Sequence, residues 1–175
     1  MSAGSDDRMP RDPAPDDRTP RDPAPDDPSL MRNRIEVMHG VNLDQLERRD
    51  PGQYGGLTLT ELERQIAEHA DGLGLTTRFF HTNHEGEFVE HLHRLAGVAD
   101  ALVLNPGAWS HYSYAIRDAL ELAGLPTVEV HLSDTSRREE WRRRSVIAEL
   151  CVAQVAGKGP DGYREALQRL RQELS

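Results

Sequence analysis

Between residues 35 and 175, short apolar runs alternate five times with segments whose apolar side chains recur every three or four positions. The runs cover 35–38, 75–80, 101–104, 127–130 and a fifth near the end of 146–156. Branched and aromatic residues bounded by glycine and polar loops read as buried strands. The helical periods are Leu59, Leu62, Ile66, Ala70 and Leu73; then Phe88, Leu92 and Leu95 within 85–96; then Ala115, Ala119 and Leu122 within 113–123; and finally Tyr163, Leu167, Leu170 and Leu174 within 162–174. A polar helix is expected around 138–144. Strands separated by single helices cannot pair as hairpins, so the sheet they build is parallel, with helices covering both faces.

Five such units predict an α/β chain: a flavodoxin-like three-layer sandwich with a five-stranded parallel sheet of order 2-1-3-4-5. In that architecture ligands bind beyond the carboxyl ends of the strands. Asn42 follows the first strand, Asn83 and His84 the second, Asn105 the third and His131 the fourth, so polar side chains collect on the expected binding edge. Asn and His are also ordinary loop residues. Residues 40–57, with Pro51, Gly52, Gly55 and Gly56, read as a long lid or binding loop. Thr58 and Glu61 form a capping box ahead of the first helical period.

The net charge of −9 argues against a general nucleic-acid binder. A single cysteine, Cys151, leaves no internal disulfide and no multi-cysteine metal site. The single lysine, Lys158, leaves little room for Schiff-base chemistry. No run approaches the ~18–20 apolar residues of a membrane span, and a cytoplasmic location is the simplest expectation. Residues 6–25 write one ten-residue unit twice, and seven of the 11 prolines lie between Pro10 and Pro28. A segment with so little to bury does not offset its ordering entropy, so residues 1–34 are expected to be a disordered tail and 35–175 the folded domain.

At the loops the sequence resembles type II 3-dehydroquinate dehydratase. Four segments carry the likeness: Gly40-Val41-Asn42-Leu43 with Arg49-Asp50-Pro51-Gly52-Gln53-Tyr54-Gly55; Asn83-His84-Glu85-Gly86-Glu87; Asn105-Pro106-Gly107-Ala108 with His111 and Arg117-Asp118; and Glu129-Val130-His131-Leu132-Ser133 with Arg138-Glu139-Glu140-Trp141-Arg142. Gly157-Lys158-Gly159-Pro160-Asp161-Gly162-Tyr163 is a weaker fifth.

The resemblance implies anti elimination of water from 3-dehydroquinate through an enolate, with no metal, cofactor or covalent intermediate. It implies a homododecamer of four trimers, with neither nucleic acid nor membrane as a partner. Tyr54 matches the base. A phenol is mostly protonated at neutral pH, and a nearby cation favours the phenolate; Arg49 matches the residue that supplies it. Asn42 matches the asparagine that holds a water at the enolate oxygen. His111 matches the proton donor, and Glu129 the carboxylate that orients and charges it. Asn105, His131, Leu132, Ser133 and Arg142 match substrate-binding positions, and Asp118 a residue that reaches a neighbouring subunit's site. Arg117 and Arg138 match supporting or interface positions. Taken without the resemblance, Tyr54 reads more readily as a loop tyrosine packing its ring, Asn42 at least as readily as a turn residue, and His111 as a histidine at a helix start beside Ser113.

The sequence also departs from the family pattern. Val41 stands where proline is usual, and Asp134-Thr135-Ser136-Arg137 replaces Asn, Ile or Val, His and Ala. A paralogue with a drifted substrate and a non-catalytic flavodoxin-like binding module are therefore the alternatives. The histidines at 81, 84, 91 and 93 match no zinc spacing. The G-x-G-x-x-G over 157–162 stands before the last helix, with no later strand to supply a ribose ligand.

Overall fold

The computed structural model of the protein describes residues 32–54 and 56–175. The acidic, proline-rich segment expected to be disordered lies, through residue 31, outside the described residues. Five parallel strands form one sheet of order β2-β1-β3-β4-β5. They are β1 (Arg34–His39), β2 (Thr76–His81), β3 (Ala101–Asn105), β4 (Thr127–His131) and β5 (Ala153–Ala156). β1 begins one residue before the expected domain boundary.

Side chains alternate across a strand, so one apolar run feeds two cores. Ile35, Val37, Val103, Val128 and Val130 face α2 (Leu59–Gly72) and α5 (Asp161–Glu173), where they meet Leu62, Ile66, Tyr163, Leu167 and Leu170. Met38, Leu102 and Leu104 face α3 (Glu85–His93) and α4 (Tyr114–Ala123), meeting Phe88, Leu92, Ile116 and Leu120. The capping box is formed: Glu61 N–H donates to Thr58 Oγ1 at 3.2 Å, and Thr58 N–H donates to Glu61 Oε2 at 2.9 Å. Ser113 Oγ likewise accepts from Ile116 N–H at 3.0 Å and starts α4.

Four expectations are corrected. α4 turns Ile116, Ala119 and Leu120 inward, whereas Ala115 and Leu122, expected inside, face outward, Leu122 being 72% exposed. Its sequence carries two apolar stripes, and only one can face the sheet. α3 ends at His93, and Leu95 is buried from the turn beyond it. Residues 138–144 form no α-helix; one short 3-10 turn, Glu140–Arg142, stands there and another, Thr135–Arg137, just before, without an apolar stripe to dock a longer helix. Residues 40–57 are not irregular: a 3-10 segment, Leu43–Arg48, buries Leu43 and Leu46 and leads to the one-turn α1 (Pro51–Tyr54). Among the described residues no helix is long and apolar enough to cross a membrane.

Candidate active site

The loops after β1, β3 and β4 meet at the carboxyl edge of the sheet, and glycine permits the approach. Gly107 has φ +65°, and a Cβ there would lie 2.7 Å from the Val41 carbonyl oxygen. A Cβ on Gly40 would lie 2.3 Å from the Pro106 oxygen. Between these loops opens a cavity of about 120 Å³. Asn42, Arg49, Tyr54, Asn105, His111, His131, Leu132, Ser133 and Arg142 all line it, as does Arg138. A larger hollow of about 750 Å³, sharing Arg138 and Leu132 with it, carries Asp134, Arg137 and Lys158.

Asn42 holds the left-handed conformation at φ +65°, which asparagine tolerates better than most side chains. Its N–H donates to Asn83 Oδ1 at 2.7 Å, so the loop after β2 supports the turn after β1.

Tyr54 is half-buried, and its hydroxyl oxygen receives two guanidinium donors, Arg49 Nη2 at 2.7 Å and Arg138 Nη1 at 3.0 Å. Burial alone would raise the phenol pKa. The hydrogen bond from Arg138 and the charges of Arg49 and Arg138 outweigh it and bring the group below its ordinary value. The Arg49 guanidinium carbon also lies 3.9 Å from the Tyr54 ring centroid. Arg138 was expected only in support, yet it touches the phenol oxygen directly and also donates to Ser133 Oγ at 3.4 Å. The turn that delivers it is capped by Asp134, whose Oδ1 accepts from Ser136 N–H at 3.0 Å and Ser136 Oγ at 2.6 Å. The carboxylate that departs from the family pattern is thus spent on the turn.

On the opposite wall the structure corrects the pairing of Glu129. Glu129 is 0% exposed, and its Oε1 lies 2.8 Å from His131 Nε2, not against His111. Ser145 Oγ donates to both carboxylate oxygens, at 2.8 and 2.9 Å, and Gln154 Nε2 donates at 2.9 Å. A carboxylate with these donors is an acceptor only, so His131 Nε2 carries a proton. His111 is held otherwise: its Nδ1 lies 2.8 Å from the Arg144 carbonyl oxygen, which can only accept. Its ring stacks on His131 with centroids 5.9 Å apart and meets the Trp141 ring edge-on at 5.4 Å. Burial lowers the His111 pKa, and the bond to Arg144 and the charge of Glu129 only partly oppose it. With Nδ1–H fixed on Arg144, neutral His111 offers the cavity an acceptor at Nε2.

Asn105 Oδ1 accepts from Gly107 N–H at 3.2 Å, and its Nδ2 donates to Tyr163 Oη at 3.0 Å. Arg142 lies 3.3 Å from Glu139 and packs over Trp141 at 4.4 Å. Two expected site residues do not line the cavity: Glu129, buried and bonded to His131, and Asp118, which stands exposed on α4. Arg117, nearby, donates to the Val146 carbonyl and pairs with Glu149 at 3.2 Å. Of the histidines that invited a metal reading, His91 is bonded to buried Glu36 at 2.6 Å and stacked on Phe80 at 3.8 Å.

The family model for class II dehydroquinase matches residues 33–171. The 3-dehydroquinate dehydratase of Thermotoga neapolitana is 48% identical over 142 residues, covering 81% of this chain and 97% of that protein. That of Bacillus licheniformis is 46% identical over 133 residues, covering 76% and 92%. The crystal structure of the type II dehydroquinase from Propionibacterium acnes superposes with a TM-score of 0.77 at 38% identity, over 81% of this chain and 98% of the other. With most of its described length matched by the family and by its relatives, the chain belongs to the class II dehydroquinases.

Proposed function

We propose that this cavity dehydrates 3-dehydroquinate, the reaction its family and relatives are named for, with Tyr54 as base and the Glu129–His131 pair as acid. The observation that carries the assignment is one of charge. A phenol under two guanidinium groups and an imidazole on a buried carboxylate line the same small space.

Tyr54, as phenolate, takes the proton from the carbon beside the substrate ketone. The two arginines favour that anion before the reaction and hold the phenol afterwards. Charge passing to the ketone oxygen is met on the Asn42 side, by its amide and a water held there. The leaving hydroxyl takes a proton from His131 and departs as water. Glu129 holds the ring through Nε2, and Nδ1 is the ring atom left to face the substrate. The proton gained by Tyr54 and the proton lost by His131 are then exchanged with solvent. His111 moves from acid to substrate binding, as a neutral acceptor for a ring hydroxyl. The N–H groups of Leu132 and Ser133 take the carboxylate, and Arg142 donates to hydroxyls.

The assembly we propose is the dodecamer of four trimers that the family pattern implies, in the cytoplasm. In it, Asp118, outside the cavity of its own chain, reaches a neighbour's.

The test follows the rise in ultraviolet absorbance as the conjugated enone forms. His131→Gln is expected to lower kcat by about 10²–10⁴-fold, the usual contribution of general acid catalysis. His111→Gln is expected to raise KM more than it lowers kcat. The reverse pattern returns the acid to His111.

A further inference from the structure

Behind Asn105 a buried polar chain runs away from the cavity, and nothing in the mechanism uses it. Asn105 ends β3 and is the register partner of His39, which ends β1. Both side chains fall on the α5 face of the sheet, where the first turn of α5 brings Tyr163. Tyr163 and His39 are each 0% exposed. The Tyr163 hydroxyl lies 3.0 Å from Asn105 Nδ2 and 3.2 Å from His39 Nδ1. The His39 ring is wedged between Phe79, stacked at 6.3 Å, and Tyr163 at 5.7 Å.

The directions of the bonds in this chain follow from its two ends, the Gly107 N–H and the Glu63 carboxylate near His39 Nε2. Gly107 N–H can only donate, so the Asn105 atom facing it is Oδ1. The other end of the amide is therefore Nδ2, which can only donate to Tyr163 Oη. The phenol's own hydrogen then points to His39 Nδ1, which must be unprotonated. His39 Nε2 carries the ring hydrogen, 3.7 Å from Glu63 Oε1, which is partly open to solvent. Burial, with His81 nearby, brings the His39 pKa down to about 3, so the ring stays neutral and keeps accepting. Turning the Asn105 amide over would set N–H against N–H at Gly107 and draw the phenol hydrogen to Oδ1, leaving His39 Nδ1 without its donor.

We propose that His39 and Tyr163 are positioning residues for Asn105: they lock its amide in one orientation, so that only one N–H and one carbonyl lone pair are presented to the substrate. The proposal rests on Asn105 contacting the substrate. An asparagine free to turn offers donor and acceptor in either order, and each order suits only one arrangement of hydroxyls. The lock thus selects the polyol whose hydroxyl pattern matches.

The test is a double-mutant cycle on the intact assembly, with folding followed by circular dichroism. Asn105→Ala alone tests the underlying reading: an unchanged KM removes Asn105 from substrate binding and the proposal with it. With that loss in place, Tyr163→Phe is expected to raise KM about tenfold while kcat moves less, the worth of roughly one buried hydrogen bond. In the Asn105→Ala background the same change is expected to move KM less than about twofold, because there is no amide left to hold. An unchanged KM in Tyr163→Phe, or an equal loss in both backgrounds, overturns the proposal. His39→Gln and His39→Leu decide it if Tyr163→Phe does not fold. Gln keeps an acceptor for the phenol and is expected to retain KM, whereas Leu is expected to raise it. Equal KM values in the two overturn the proposal.

Discussion

Tyr54 shows how far local chemistry reaches and where it stops. Arg49 lies five residues before it, and one turn of chain is enough to bring a guanidinium to the phenol. Arg138 lies 84 residues away and arrives only because Asp134 caps a 3-10 turn after β4. Periodicity carries no trace of such a contact, which is why its part in the site was not legible. Glu129 and His131 are different. Two residues apart, they point to the same face because β4 runs on through His131, whereas the apolar run marks the strand only as far as Val130. The Arg138 contact makes a sharp prediction. A base works as its anion, so activity rises with pH as Tyr54 deprotonates, and the two cations hold that limb low. Arg138→Ala should move the rising limb of the kcat/KM profile to higher pH and lower kcat about 10- to 100-fold near neutrality, as expected for loss of a charged donor to a developing anion. Arg138→Lys, which keeps the charge, should recover part of the loss. An unmoved limb in the alanine variant would assign Arg138 to structure alone.

At the level of strands and helices the sequence was almost sufficient. Short apolar runs and three-to-four-residue periods located every strand and the helices that cover them, because burial keeps Ile35, Val37 and Met38, residues 101–104, and Val128 and Val130 apolar. α4 failed for the opposite reason: its two apolar stripes differ by one position, and the choice between them is made by contacts that the helix itself does not encode. The sheet also carries a polar fastening. Asp100 Oδ2 accepts from Asn33 N–H at 3.1 Å, Arg34 N–H at 2.9 Å and Arg34 Nε at 3.0 Å, while Oδ1 accepts from Arg34 Nη2 at 2.8 Å. The start of β1 is thereby pinned to the residue before β3. Chiefly through the Arg34 side-chain bond, the Asp100 pKa falls from 3.8 to about 2. A folded-state pKa below the unfolded one stabilises the fold above the unfolded value, and that stabilisation is lost as pH falls through the folded value. Asp100→Ala should therefore cost about 1 kcal/mol near pH 7, a figure discounted because the Arg34 side chain is half exposed and screened. In urea unfolding the gap between parent and variant should stay constant above about pH 5 and be roughly half closed by pH 3. A gap that does not change with pH would mean that the carboxylate's charge contributes nothing.

At the scale of the whole molecule, the outward face of α4 becomes informative. Leu122 near the end of α4 is 72% exposed, and Tyr112 and Tyr114 at its start are 55% and 63% exposed, apolar surface that a free-standing domain seldom leaves to water. Asp118 stands on the same helix, outside the cavity of its own chain. A side chain on this face serves catalysis only if association carries it to a neighbour. The proposed assembly therefore makes each site from two chains, and complementation can test this directly. Tyr54→Phe removes the base but leaves Asp118 to be given away. Asp118→Ala removes the donated carboxylate but leaves its own base intact. Each pure variant should be poorly active. When the two are unfolded and refolded together, some sites should combine Tyr54 of one chain with Asp118 of the next, and activity should rise several-fold above the sum of the separate preparations. Leu122→Glu should abolish the recovery and shift the protein to a smaller species in sedimentation, since a buried unpaired charge opposes association. Full activity in Asp118→Ala alone, or a sedimenting monomer that turns over at the parental rate, would place the entire reaction within one chain.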